Sequence, residues 1–148
     1  MERRNPIAAG VLLFCCRHRI PLLSRMVRIL LGCDIYCAIP PGLILAHPYG
    51  IVIHSAAKLG RDVTILQHVT IGAEFNCCEA PTVGDRVMIG AGAVIIGAVT
   101  VGDDVIIGAN AVVTRDVPPN MVVVGANRLI AKSCSSAVQS DDFGVVRG

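Results

Sequence analysis

The chain has 148 residues and a formal net charge of +2, a length that suits one domain and a charge too weak to argue for nucleic-acid binding. It is 53% hydrophobic but only 3% aromatic, so its interior is Val, Ile, Ala and Leu without large rings, which suits a narrow prism filled layer by layer. The seven cysteines are odd in number and form no paired Cys-x-x-Cys, which speaks against a zinc site and for free or buried thiols in a reducing cytosol.

Charge is uneven along the chain. Residues 1–33 hold Arg3, Arg4, Arg17, Arg19, Arg25 and Arg28 against Glu2 alone. The longest apolar run, Ile7 to Cys16, is too short to span a bilayer. Arg17-His18-Arg19 stands where a signal-peptide cleavage site would follow. Residues 1–6 are expected to fray, and residues 7–32 read as helical. Leu22, Leu23, Met26, Val27 and Leu30 share one face, with Ser24, Arg25 and Arg28 opposite. Pro21 can open that helix and Gly32 can close it. Residues 1–32 therefore read as a helical cap on the next domain, or as a face packed on a neighbouring subunit, because the end of a solenoid otherwise exposes unpaired edges. A basic amphipathic helix on a membrane surface is the alternative.

From Ile53 to Val117 the period is six. Ile53, Leu59, Ile65, Ile71, Val83, Ile89, Ile95, Val101, Ile107 and Val113 keep the phase, and only Cys77 breaks it. Four residues after each stands a second apolar side chain, as in Ala57, Val63, Val69 and Val87, with Phe75 the one bulky member. Gly60, Gly72, Gly84, Gly90, Gly102 and Gly108 follow the first aliphatic, where a corner with positive φ is expected. A period of six fits neither a helix nor a lone strand. It predicts an all-β fold, a parallel β-solenoid with two inward positions per hexapeptide.

The phase slips twice. Ile53 follows Leu45 by eight residues, so two are extra around His47-Pro48-Tyr49-Gly50. Ala73–Pro81 carries charges and an Asn unsuited to an interior. Extruding one hexapeptide there stacks Gly60, Gly84 and Gly102 in one column and Leu66, Gly90 and Gly108 in another. Pro118-Pro119 stops the regular pairing. One last strand is expected at Val122–Val124, a short helix at 127–132, and a disordered tail, 131–148 being set apart from the domain of residues 33–130.

Several strings narrow the reading: His47-Pro-Tyr-Gly-Ile-Val-Ile-His, Ile65-Leu-Gln-His-Val-Thr-Ile-Gly, Pro81-Thr-Val-Gly-Asp, Ile89-Gly-Ala-Gly-Ala-Val and Asp116-Val-Pro-Pro-Asn. Over residues 33–130 the chain resembles the serine O-acetyltransferase branch of the hexapeptide acyltransferases. The resemblance implies a left-handed β-helix, a homotrimer and acetyl-CoA as co-substrate in a groove between subunits. It puts the family's catalytic histidine on His47, and an earlier Asp-Ile on Asp34-Ile35, two residues closer than usual. A neutral imidazole suits the removal of a hydroxyl proton near pH 7. Asp34 would then orient His47. Gly90, Ala91, Gly108 and Ala109, one coil apart, would offer backbone amides to acetyl-CoA, with Arg128 near its phosphates. Tyr49, His68 and Glu79 would line the acceptor.

Departures from the family matter too. Ala46 replaces an acidic residue before the histidine, and Glu79-Ala80-Pro81 stands where the family has Arg-His-Pro. Gly125-Ala126-Asn127-Arg128 replaces Gly-x-Pro-Ala-Lys/Arg, and a segment of about 30 residues stands where the family has a long helical domain. These changes favour a saccharide acceptor over L-serine, which is the alternative. A zinc hydratase on the same solenoid needs three converging histidines, and His47, His54 and His68 lack the close pair. A non-catalytic assembly solenoid is a further class. A cytoplasmic enzyme without metal is the reading as a whole.

Overall fold

The computed structural model describes residues 7–17, 26, 29–74 and 79–131. Helix α1 spans Ile7–Arg17. Fourteen short strands follow: β1 (Asp34–Ile35), β2 (Ile44–Leu45), β3 (Val52–Ile53), β4 (Lys58–Leu59), β5 (Thr64–Ile65), β6 (Thr70–Gly72), β7 (Thr82–Val83), β8 (Met88–Ile89), β9 (Val94–Ile96), β10 (Thr100–Val101), β11 (Ile106–Ile107), β12 (Val112–Val113), β13 (Met121–Val124) and β14 (Arg128–Ala131). They form three sheets, in the orders β1-β3-β6-β9-β12, β10-β7-β4 and β14-β13-β11-β8-β5-β2. The chain visits the five-, three- and six-stranded sheets in turn, winding a left-handed prism of parallel rungs.

The register resolves both slips. Val52 pairs with Thr70 and Thr82 with Thr100, eighteen residues on in each case. Across the second slip Lys58 pairs with Thr82 and Thr64 with Met88, twenty-four on. One hexapeptide therefore adds no rung, as the glycine columns require, although residues 75–78 of it lie outside the described residues. At the first slip Ile44 pairs with Thr64, twenty on, which is the two-residue excess. Asp34 still pairs with Val52, eighteen on, because the stretch between β1 and β2 is two residues short, Ile35 to Leu45 spanning ten residues where Ile53 to Ile65 spans twelve. The stretch just before Pro118-Pro119 is shortened in the same way, Val113 to Val117 spanning four residues instead of six, so that Val101 bridges Val117.

Both inward series are buried. Ile53, Ile65, Ile71, Ile89 and Ile95 are inaccessible to solvent, and so are Val63, Val69, Ala93, Val105 and Ala111. Each isoleucine so placed contributes about 1.5–3 kcal/mol relative to exposure. Leu59 is the partial exception and is only packed against the cluster. α1 buries Ala9 and Leu12 in the same cluster, which ties it to the prism. The segment read as helical over 7–32 is not helical throughout in its described part. α1 ends at Arg17, and helical geometry returns at 26 and 29–31. Gly32 ends it at φ 59°, with its N–H on the Ile29 carbonyl.

Two expectations are corrected. The repeat glycines are not the positive-φ residues, which lie two positions further on: Asp62, His68, Arg86, Gly92, Asp104 and Asn110. Gly60, Gly84 and Gly90 are needed instead because coils approach closely. A Cβ on Gly90 would lie 2.6 Å from the Ala109 nitrogen, and one on Gly84 would lie 2.9 Å from the carbonyl carbon of Gly102. The helix expected at 127–132 is strand β14. Gly125 and Asn127, at φ 59° and 55°, turn the chain back, and Arg128–Ala131 pairs antiparallel with β13. That hairpin covers the edge which the last rung would otherwise leave open.

Candidate active site

The prism has three edges, and the sequence-predicted residues gather on one of them. This is the edge where the chain passes from the six- to the five-stranded sheet. Its column runs from His47–Gly50 through Gln67-His68 and Ala91-Gly92 to Ala109-Asn110. Backbone hydrogen bonds stitch it together: His68 N–H to Tyr49 C=O at 2.8 Å, Gly92 N–H to Gln67 C=O at 2.9 Å, and Asn110 N–H to Ala91 C=O at 2.8 Å. His47 and His68 are exposed on it, and so is Tyr49 at 52%.

The corners of this edge are β-turns. Ala93 N–H donates to the Gly90 carbonyl and Ala111 N–H to the Gly108 carbonyl, both at 3.2 Å. The third residue of each turn, Gly92 or Asn110, has positive φ, which makes the turn type II. The Gly90 N–H is spent on Ile107 C=O at 2.7 Å and the Gly108 N–H on Val123 C=O at 2.9 Å, so these two amides hold the coils together. The N–H groups of Ala91 and Ala109, at the second turn position, have no acceptor among the described residues. On the neighbouring edge the same position is capped. Arg61 N–H donates to the Asp85 carboxylate at 2.7 Å, and Asp85 N–H to the Asp103 carboxylate at 2.8 Å. Arg86 on that edge forks onto Asp104 at 2.9 and 2.6 Å, and this hydrogen bond, then the charge of Asp104, pushes its pKa up. The difference is compositional: alanine at 91 and 109 leaves the amides open, where aspartate would close them.

The two extra residues at His47–Gly50 are pinned from beneath. The Cys33 thiol donates to Pro48 C=O at 3.1 Å, and Gly50 N–H donates to Leu31 C=O at 3.2 Å. Cys33 is buried, and burial pushes its thiol pKa up, so it stays a neutral donor. His68 at φ 57° lies with its ring against Gly50, where any Cβ would collide with it. Beside it, Gln67 holds a buried Oε1 without a hydrogen-bond partner among the described residues. A donor on a ligand lying along this edge would satisfy it.

The other predicted residues stand apart. Asp34 is on β1, and its carboxylate accepts from the Tyr36 hydroxyl at 3.4 Å. No hydrogen bond joins it to His47 among the described residues. It shares a recess of about 640 Å³ with Tyr36, His54, Ser55 and Glu74 on the five-stranded face. There His54 Nδ1 accepts from the Ala56 N–H at 3.2 Å, which leaves the proton of the neutral ring on Nε2. Glu79 lines a second recess of about 440 Å³ with Lys58, Thr82 and Thr100. Arg128 is exposed in β14. Sequence reasoning passed over Cys33 and Gln67. The alternate burial of Leu31, Cys33, Ile35 and Cys37 is the pattern that could have placed the first. Nothing in the repeat distinguishes the second.

Comparison with known proteins agrees with this geometry. The family model for bacterial transferase hexapeptides (six repeats) matches residues 80–115. A serine acetyltransferase of Mycobacterium tuberculosis is 46% identical over 106 residues, 69% of this chain and 46% of that protein. One from Helicobacter pylori is 45% identical over 108 residues, 70% of this chain and 63% of its own length. The crystal structure of Neisseria gonorrhoeae serine acetyltransferase in complex with serine aligns with a TM-score of 0.67 at 38% identity, covering 74% of this chain and 46% of that one. Parallel rungs on three faces in hexapeptide register define the class, a left-handed β-helix of the hexapeptide-repeat transferases. Within it, the chain is similar to the serine O-acetyltransferase-like members. It spans about half of the length of the curated relatives it matches, 46% and 63% for the two named.

Proposed function

We propose that the chain transfers the acetyl group of acetyl-CoA to a hydroxyl, with L-serine as the acceptor. The observation that carries this reading is the single edge on which exposed His47 and Tyr49 stand in column with the open Ala91 and Ala109 amides. His47 takes the proton of the acceptor hydroxyl, and the oxygen attacks the thioester carbonyl. The tetrahedral intermediate collapses to the ester, and the CoA thiolate leaves and takes up the proton. The amides of Ala91 and Ala109, spaced by one coil, suit the carbonyl oxygens of an extended pantetheine arm. Three copies about a common axis would set this edge against a neighbour, which makes the homotrimer part of the proposal. Asp34 enters only as a charge one coil away, since its present partner is Tyr36.

The relatives named above are all serine acetyltransferases, so the comparisons back serine and not the saccharide preferred from sequence. A saccharide remains the second reading on one observation. Glu79-Ala80 stands where the resemblance expects Arg-His, and a carboxylate at that place repels the carboxylate of serine. The deciding experiment offers acetyl-CoA with L-serine, sugars or nucleotide sugars and follows thiol release, corrected for the seven cysteines of the chain. Turnover of L-serine supports the first reading, and turnover of a sugar alone supports the second. Thermal protection by CoA without any turnover points to a wrong acceptor. Absence of both protection and turnover defeats acetyl transfer.

A further inference from the structure

The corners of the His47 edge repeat in register. The carbonyls of Tyr49, Gln67 and Ala91 each accept an N–H from the next coil, from His68 at 2.8 Å, Gly92 at 2.9 Å and Asn110 at 2.8 Å. Gln67 is therefore the counterpart of Ala91 and Ala109, and its backbone N–H, like theirs, has no acceptor among the described residues. The open amides begin at Gln67. In the turn above, Pro48 has no N–H, and the Tyr49 N–H is spent on His47 C=O at 2.8 Å. They end at Ala109, after which the chain leaves the repeat for the β13–β14 hairpin. The side chain of Gln67 is unfinished as well. It is half-buried, and its enclosed Oε1 has no donor among the described residues, which points to a ligand at this corner.

The ladder of open amides thus has three rungs, Gln67, Ala91 and Ala109, spaced by about 4.8 Å as neighbouring parallel strands are. The extended arm of acetyl-CoA carries three carbonyls in line: pantoyl, β-alanyl and thioester. With the two amide carbonyls on Ala109 and Ala91, the next carbonyl toward His47 is the thioester, and the next open N–H is that of Gln67. We propose that the Gln67 N–H binds the thioester carbonyl oxygen and stabilises the negative charge that develops on it, an assignment that rests on the acetyl-transfer reading. The acceptor oxygen bonds to the thioester carbon while its proton passes to His47, and the carbonyl electron pair moves onto the oxygen held by Gln67. Collapse restores the carbonyl and breaks the C–S bond, and the departing thiolate takes the proton from the imidazolium. A backbone donor fixed in a turn serves the developing charge without reorganisation.

Gln67→Pro deletes this N–H at a turn position that suits proline, since His68 after it has positive φ, as Gly92 and Asn110 do in their turns. In the full chain, with acetyl-CoA and whichever acceptor turns over, kcat should fall by roughly 10²–10³-fold. Gln67→Ala keeps the N–H and should lose no more than about tenfold, as for one side-chain hydrogen bond. Both variants should still be protected thermally by free CoA, which lacks the acetyl carbonyl. Bound to the wild-type chain without acceptor, carbonyl-labelled acetyl-CoA should show its thioester C=O stretch at lower frequency than in solution. Equal kcat in the two variants overturns the assignment and leaves acetyl transfer standing, and so does an unshifted carbonyl band in the wild type. Should Gln67→Pro melt early, or no acceptor turn over, the wild-type band decides alone. A wild-type chain that neither turns over nor gains stability with CoA removes acetyl transfer, and this assignment with it.

Discussion

At the scale of the residue, His47 and Cys33 have separable tasks. His47→Ala should lower acetyl transfer by roughly 10²–10⁴-fold with the melting temperature unchanged, since the ring is exposed and only its backbone carbonyl, accepting from Tyr49 N–H at 2.8 Å, is tied to the turn. Steady-state rates beside a thermal melt check this, and near-wild-type turnover would remove His47 from the chemistry. Cys33→Ala should instead destabilise, by about 1–3 kcal/mol, because it leaves the Pro48 carbonyl without its thiol donor and opens a small void. Burial raises the Cys33 pKa, so the unfolded chain ionises first as the pH climbs through the ordinary thiol value of 9.0. The stability that Cys33 contributes is therefore complete below that pH and declines above it. The gap between wild type and Cys33→Ala in denaturant titrations should narrow accordingly. His47 could be picked out from a string of neighbours. Cys33 could not, since one thiol among seven reads as filler until the turn above it is seen.

The six-residue period carried nearly all of the solenoid at the scale of the element, because each inward aliphatic restates the same burial rule coil after coil. What it misassigned was the reason for glycine. Gly84→Ala should cost about 1–3 kcal/mol, since the new Cβ meets the Gly102 carbonyl carbon and the Asp103 nitrogen at 2.9 Å, and backbone cannot step aside. Gly72→Ala should be nearly neutral, as its nearest new neighbour is the Thr70 methyl at 3.9 Å and its φ is ordinary. A denaturant midpoint for each decides between close approach and positive φ, and equal losses would restore the latter. The amide edge is tested by Ala109→Pro. Proline suits the second position of a type II turn, so the fold should hold while one N–H vanishes. The KM for acetyl-CoA should rise roughly three- to tenfold, as for one hydrogen bond, with kcat little changed. The hairpin of β13 and β14 was illegible because Arg-Leu-Ile-Ala suits helix or strand equally. The positive φ of Gly125 and Asn127 decides it, and only the second of these lacks the glycine signal.

At the scale of the whole molecule, scaffold and function separate at the second slip. The rungs on either side of it pair as if residues 73–78 were not there, since Lys58 meets Thr82 and Thr70 meets Val94, each twenty-four residues on. The rungs that follow continue at eighteen as far as β12. Deleting residues 73–78 would restore that spacing across the second slip and would leave the inward series intact, because Ile71 and Val83 already stand in phase. Shortening a surface connection changes loop-closure entropy only slightly, by about 0.6 kcal/mol for each halving. The deletion variant should therefore fold, keep its oligomer mass and still be protected thermally by CoA, whose proposed amide edge lies on another corner. It should lose use of the acceptor, because Glu74, which goes with the deleted stretch, and Glu79, which directly follows it, each line one of the two recesses on that side of the prism. Melting curves with and without CoA, set beside acceptor-dependent thiol release, read both halves of the claim. Full activity in the deletion variant would move acceptor binding away from this loop and onto the His47 edge alone.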